Sequence, residues 1–485
     1  MDSMTPFNVS NFVHETSMRL PDHVAVYDHN GVVTYKQLSD KVNASAQWLT
    51  SSGISRGMGV GVMGVNSCDF IVLAFAVMQC GAVVLPLSSQ LSEEELINTV
   101  RVSKLHFLLF DEHSKVGLDS THSVDLSVLQ SKWRLQSFDY INSITTIAPH
   151  VPDAALIRFT SGTTGSAKGV ILSHQTINER TAAAAASLQL SEQDSVLWVL
   201  SMAFHFVVSI ITYVRCGCSI IINKDFLASA MLEEADRYQA TFIYASPMHI
   251  RLLANDRSGK KLQHVRRVIS TSTGISADQC ESFYQRFGMH VHQAYGIIEV
   301  GLPVISDDRC RQHPDAIGFA APGYEADIFD EKMNLLPSGE TGLFAVKGPG
   351  MFDAYLDPPA LRDDVTSNGW FMTGDLAMKK ADGMITVMGR KKSLINVAGN
   401  KVFPEDVETV INRHADVTSS RISGFHHPLL GESVMAEIVL KDGVSTDPEA
   451  IRTWCKQHLS SYKVPQKIIF TDSLPMTASG KIIRG

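Results

Sequence analysis

Short apolar runs recur through the first two thirds of the chain, and helix-like stretches separate several of them. Residues 60–65 read as a buried strand, 70–79 as a helix and 82–87 as a second strand. Residues 107–110, 155–159, 196–200, 219–222, 241–244 and 265–270 continue the series of strand candidates. Short β runs separated by helices imply α/β layers. From 326 to 346 the pattern turns hairpin-like, with Asp330-Glu331 and Pro337-Ser338-Gly339 as turn signals. The end of the chain reads as a separate unit. Residues 385–388 are strand-like and Arg390-Lys391-Lys392 is a basic break. A helix over 404–413 opens on a proline, and a strand over 434–440 and a helix over 448–459 follow. These patterns predict a boundary near Lys392, with 1–391 as the larger domain and 392–485 as the smaller.

Composition narrows the class. A chain of 485 residues with 45% hydrophobic and 19% charged positions is ordinary globular material, too long for one core. The net charge of −8 and the lack of a basic stripe argue against nucleic acid as a partner. Seven scattered cysteines form no disulfide framework and fit a reducing compartment. Cys216 and Cys218 lack a second ligand pair and read as small core thiols. Residues 1–22 lack the basic start and apolar block of a signal peptide, so the expected location is cytoplasmic. Residues 196–214 carry little charge over the length of a membrane span, but Ser201, His205, Ser209 and Thr212 interrupt them. A buried strand–loop–helix is the expectation there, with no transmembrane segment.

The densest chemistry lies in Thr160-Ser161-Gly162-Thr163-Thr164-Gly165-Ser166-Ala167-Lys168-Gly169. Glycines let backbone N–H groups approach an anion, and hydroxyls and one ammonium add donors for phosphate oxygens. The run follows a strand, where α/β folds place ligands. Its glycine spacing differs from a Walker A loop. Gly59, Gly61 and Gly64 match G-x-G-x-x-G, but no suitable acidic residue closes a βαβ unit after them, which excludes a nicotinamide site.

This loop resembles the phosphate-loop signature of the ANL superfamily of adenylate-forming enzymes, which includes acyl-CoA synthetases, peptide-synthetase adenylation domains and firefly luciferase. Four further segments resemble family motifs in the same order: Gln293-Ala294-Tyr295-Gly296-Ile297-Ile298-Glu299, Gly369 to Asp375, Gly389-Arg390-Lys391-Lys392, and Pro475 to Lys481. The resemblance implies a large α/β N-terminal domain with a small β-barrel-like subdomain, and a smaller, mobile α+β C-terminal domain. It implies ATP, Mg²⁺ and CoA as cofactors, with a phosphopantetheine carrier protein as the alternative acceptor. The implied reaction joins a carboxylic acid to AMP, releases pyrophosphate and transfers the acyl group to a thiol.

The resemblance also implies roles. Thr160, Ser161, Gly162, Thr163, Thr164, Gly165, Lys168, Gln293, Ala294, Tyr295 and Ile298 would line the nucleotide site, with Asp375 on the ribose hydroxyls and Arg390 on ribose or phosphate. Glu299 would hold Mg²⁺, and Lys481 would be the adenylation lysine. His205 resembles a gate histidine, and Phe206, Ser209, Met248, Thr273, Gly274, Gly296 and Val304 would complete the acyl pocket. Gly399, Asn400 and Lys401 would line a thiol tunnel, and Lys392, or Lys391 in another register, would be the hinge. Phe204-His205-Phe206 lacks the aspartate of amino-acid-activating relatives, and Val207, Val208, Ile210 and Ile211 suggest an apolar pocket for a fatty or arylalkanoic acid. Two departures stand out. Ile298 replaces a threonine, removing one hydroxyl donor, and Ser270-Thr271-Ser272-Thr273-Gly274 replaces a run of Gly, Ala and Pro. Together they point to a reshaped pocket; Ile298 alone also suits a degenerate nucleotide-binding relative.

Overall fold

The computed structural model describes residues 7–114, 116–117, 122–124, 126–139, 146–159, 168–223, 225, 227–398, 400–428, 431–476 and 482–483. They divide into two compact units. The described residues of 7–159, 168–325 and 347–371 make the first, and those of 326–346 and 372–483 make the second.

The first unit is built on two sheets, each with nine strands among the described residues. In one sheet, strands Val291–Ile297, Arg267–Ser270, Phe242–Ala245, Ser195–Trp198, Ser219–Ile222 and Val24–Asp28 lie side by side and parallel. Antiparallel Gly31–Thr34 closes one edge, and Gly301–Ile305 with Phe319–Ala320 closes the other. The second sheet has a parallel centre of Ala154–Phe159, Val83–Ser88, Gly59–Gly64 and Phe107–Asp111. Antiparallel Gly169–Ser173 and Ala354–Tyr355 extend it on one side.

Helix Cys68–Gln79 ties these layers together. Apart from Asp69 in its first turn it is apolar all round, and every residue from Cys68 to Met78 is buried, as a helix covered on all faces requires. Its start is fixed twice: the Ser67 hydroxyl accepts from the Phe70 N–H at 3.2 Å, and Asp28 of the first sheet accepts from the Cys68 N–H at 2.7 Å. The glycines at 59, 61 and 64 lie inside a strand rather than in a turn after it. A Cβ on Gly59 would sit 2.2 Å from the Ile147 side chain, and one on Gly64 would sit 2.8 Å from Trp133. They serve close packing.

One predicted strand ends two residues early for a visible reason. The run expected over 196–200 stops at Trp198 because the Asn66 carboxamide takes over: it donates to the Leu200 carbonyl at 2.7 Å and accepts from the Met202 N–H at 2.9 Å. Helix Met202–His205, a π-helical turn Phe206–Ile211 and helix Thr212–Cys216 follow. Among the described residues, no helix is long and apolar enough to cross a membrane.

The second unit holds a sheet of Glu325–Phe329, Thr341–Lys347, Phe371–Lys379 and Ile385–Arg390, whose end residues Glu325, Lys347 and Phe371 belong to the first unit. Its other sheet orders Asn400–Val402, Ile395–Val397, Gly431–Leu440 and Val417–His427, and Lys467–Phe470 pairs parallel to Gly431–Leu440. Helices Pro404–Ile411 and Pro448–His458 cover it, sharing a core with Ile395, Val402, Val434, Ile438 and Ile451. Asp447 caps the second helix, accepting from the Ala450 N–H at 2.7 Å. Lys392 lies in the turn Lys391–Ser393 that joins the two sheets. The fold is thus α/β, with a large layered N-terminal part and a smaller α+β C-terminal part.

Candidate active site

Strand Ser195–Trp198 is where the first sheet reverses direction. The chain goes from it to Ser219–Ile222 on one side and then to Phe242–Ala245 on the other. Open α/β sheets bind ligands beyond the C-terminal ends of strands at such a point. Beyond these ends stand His205, the start of helix Pro247–Asn255 with Met248, the turn Thr271 to Gly274, and the end of Val291–Ile297. His205 meets the Trp198 ring edge-on at 6.4 Å between centroids, and its Nε2 is 3.3 Å from the Ser272 hydroxyl. Ser272 has φ 78°, a left-handed conformation that costs a side-chain-bearing residue about 1 kcal/mol or more. Thr271 donates to the Ala294 carbonyl at 3.1 Å. The unusual 270–274 run thus links the histidine to the strand carrying the proposed adenine motif.

The acyl-pocket residues divide. Met248, Thr273, Gly274 and Gly296 are exposed, and a Cβ on Gly274 would meet nothing within 4 Å. Phe206, Ser209 and Val304 are enclosed, at 2%, 0% and 0% exposure. Val207, Ile210 and Ile211 are likewise core side chains. The π-helical turn presents its apolar residues inward, where Phe206 packs against Phe70 and Phe75.

Gln293 is buried. Its amide donates to the carbonyls of Pro314 at 2.7 Å and Ala316 at 3.0 Å, and its oxygen accepts from the Ile275 N–H at 3.4 Å. Tyr295 is half-buried and pairs in register with Val304, Ala294 is buried, and Ile298 is half-buried past the strand end. Arg180 holds this strand end from below. Its guanidinium donates to the carbonyls of Ile298 at 2.6 Å, Glu299 at 3.2 Å and Gly350 at 2.8 Å. Burial lowers its pKa to about 10, so it stays a cation at neutral pH. Sequence reasoning missed Arg180. The available signal was a lone charge on the apolar face formed by Ile177, Thr181, Ala184 and Leu188 of helix His174–Leu188.

Glu299 and Lys168 meet on a second missed residue, Tyr355. The Tyr355 hydroxyl donates to Glu299 Oε1 at 3.2 Å, and the exposed Lys168 ammonium lies 4.5 Å from the centre of its ring. Thr160, Ser161, Gly162, Thr163, Thr164 and Gly165, the rest of the phosphate-loop assignment, lie outside the described residues. Among the described residues, no group of three or more His, Cys, Asp or Glu side chains could cage a metal. One carboxylate still suits Mg²⁺, which typically takes one or two carboxylates together with substrate phosphates.

In the second unit, Asp375 and Arg390 are register partners on Phe371–Lys379 and Ile385–Arg390. Lys392 is exposed, and Lys391 pairs with Glu331 at 2.9 Å. Asn400 and Lys401 are exposed on a hairpin whose turn residue Ala398 has φ 48°, the left-handed twist that tight hairpins require. Gly399 and Lys481 lie outside the described residues.

Comparison with known families then decides the class. The family model of the AMP-binding enzymes matches residues 13–356, and that of the AMP-binding enzyme C-terminal domain matches 406–481. The chain belongs to the AMP-binding enzyme family. It is thereby a member of the adenylate-forming ANL superfamily that the five motifs resemble. This AMP-binding enzyme is 28% identical to a crotonobetaine/carnitine–CoA ligase of Citrobacter koseri, over 93% of this chain and 92% of that one. It is 27% identical to a feruloyl-CoA synthase of an Amycolatopsis species, over 96% of both chains. Among solved structures it resembles ATP-bound MatB from Rhodopseudomonas palustris, with TM-score 0.84, 25% identity, and 98% and 97% coverage of the two chains.

Proposed function

We propose that this AMP-binding enzyme is an ATP-dependent acid–CoA ligase. It activates a fatty or arylalkanoic acid as acyl adenylate with release of pyrophosphate, then passes the acyl group to the thiol of CoA. The observation that carries this reading is the placement of Glu299 and Lys168 on one tyrosine beyond the strand ends. The likeness to acid–CoA ligases along more than nine-tenths of the chain supports the thiol step.

In this reading Lys168 and the hydroxyl and N–H donors of 160–165 hold the phosphates. Glu299 holds Mg²⁺, which would offset phosphate charge as the phosphoryl bond is exchanged. Arg180 and Gln293 keep the strand end in place for that contact. Asp375 takes the ribose hydroxyls, Arg390 a ribose or phosphate oxygen, and Lys481 the charge that develops during adenylation. His205 fronts the acid between Met248, Gly274 and Gly296. Residues 392–485 act as the smaller domain, pivoting at Lys392, and 399–401 guide the thiol.

The test is pyrophosphate release over a panel of carboxylic acids, with and without CoA. Acid-dependent release, and thioester only when CoA is added, is expected. Lys481→Ala should abolish adenylation yet still form thioester from supplied acyl adenylate, since a cation there helps only while charge builds on phosphate. ATP binding with no acid-dependent release would overturn the ligase reading. Thioester on a holo carrier protein but not on CoA would overturn the acceptor.

A further inference from the structure

Tyr355 sits where three chain segments are laced together. Strand Ala354–Tyr355 pairs with Gly169–Ser173, with Tyr355 opposite Val170, and that strand begins directly after Lys168. The Leu356 N–H donates to the Gly169 carbonyl at 2.7 Å, and the Asp353 N–H to the Ile171 carbonyl at 3.0 Å. A few residues earlier, the Phe352 N–H donates to the Glu299 carbonyl at 2.7 Å. One short segment therefore fixes the backbone of both Lys168's strand and Glu299's turn. The side chain completes the link, with its hydroxyl on the Glu299 carboxylate and its ring face under the Lys168 ammonium. The ring is itself set by packing: Tyr355 is 7% exposed and its centroid lies 4.8 Å from that of Phe352.

We infer that Tyr355 is a positioning residue that presets the Glu299 carboxylate for a divalent cation and the Lys168 ammonium for a phosphate. This rests on the nucleotide reading above. A donor on Oε1 fixes how the carboxylate is rotated and leaves Oε2 to face a cation; such outer hydrogen bonds to metal-binding groups commonly change metal affinity by 10-fold or more. The ring face attracts the Lys168 ammonium by its negative quadrupole and so sets where that cation sits. The two contacts use different parts of one side chain, and substitution can separate them.

The experiment measures binding, without turnover. Calorimetry with a non-hydrolysable ATP analogue gives its affinity in the absence of metal, and Mn²⁺ electron paramagnetic resonance gives metal affinity in its presence. Tyr355→Phe keeps the ring and its packing and removes only the hydroxyl. Mn²⁺ affinity should fall about 10-fold while metal-free analogue affinity stays within about 2-fold. Tyr355→Leu removes the ring face as well, and metal-free analogue affinity should then fall by about 3-fold or more. Unchanged Mn²⁺ affinity in Tyr355→Phe would overturn the inference, and so would an equal fall with and without metal, which marks a packing role. Failure of the unmodified enzyme to bind the analogue at all would instead sink the nucleotide reading.

Discussion

Arg390 Nε lies 2.7 Å from Asp375 Oδ1, across the antiparallel pair Phe371–Lys379 and Ile385–Arg390. The carboxylate is 6% exposed and the guanidinium 47%, so the cation partly shields the anion from water. Gly374, at φ 80°, turns the chain just before Asp375, and a Cβ there would come 3.6 Å from Arg390 Nη1. The pair holds the carboxylate as an acceptor at a fixed register position of the hairpin.

Asp375→Asn should raise the KM for ATP by about 10-fold or more and leave the KM for the acid unchanged. A carboxylate can accept from two hydroxyls with both oxygens, an amide with one, and hydrogen bonds to charge are worth about 1.5–3 kcal/mol. Arg390→Gln has a different signature. It removes the guanidinium from beside the enclosed Asp375 carboxylate, so the urea unfolding midpoint should fall by the equivalent of about 1–3 kcal/mol. Equal stability of Arg390→Gln and the parent would show that other groups already serve the carboxylate.

Ile298→Thr tests the departure in the adenine motif. The side chain is half-exposed and the carbonyl is anchored by Arg180, so a threonine hydroxyl has water access and its backbone stays fixed. Pyrophosphate release should rise about 10-fold if the hydroxyl reaches a charged phosphate oxygen, with acid preference unchanged. A lower rate with a changed acid preference would instead make Ile298 part of the pocket wall.

Lys392→Pro fixes φ in the turn Lys391–Ser393 between the two sheets of the second unit. Thioester formation from supplied acyl adenylate should drop by about 10-fold or more, while single-turnover adenylation changes little. Equal loss of both half-reactions would move the pivot elsewhere.

Acid stability should depend on His174 and His249. Burial lowers each pKa from 6.5 to about 4. The unfolded chain then takes up protons below pH 6.5 that the folded one refuses until about pH 4. The stabilisation is therefore complete above pH 6.5, declines as pH falls through that window, and levels off below it. His174 Nδ1 accepts from the Val9 N–H at 3.1 Å, and protonation would set two donors against each other. His174→Gln offers an oxygen that does not titrate, so the urea midpoint should flatten between pH 6.5 and 4 by on the order of 2 kcal/mol. A parent-like acid limb in that variant would assign the dependence to other groups.

Much of the layout was legible in the sequence because burial leaves a local trace. The run from Val60 to Val65 and the helix from Phe70 were readable since a strand covered on both faces and a helix covered all round need continuous apolar residues. The five motifs were readable because nucleotide chemistry needs particular groups at particular spacings, and they foretold the family. Strand Val291–Ile297 and the long strand Val417–His427 were not read, since mixed polar positions such as His292, Gln293, Ser419 and Arg421 hide the period-2 signal. What only the tertiary structure decided are the contacts of distant segments. No spacing rule joins Tyr355 to Glu299 or Arg180 to Ile298, residues 56 and 118 positions apart. Nor does any local pattern separate exposed Met248 from enclosed Ser209, because exposure depends on what the rest of the chain places over a side chain. Local sequence sets propensity and chemistry, while packing between segments far apart in sequence selects which groups meet and which are sealed away.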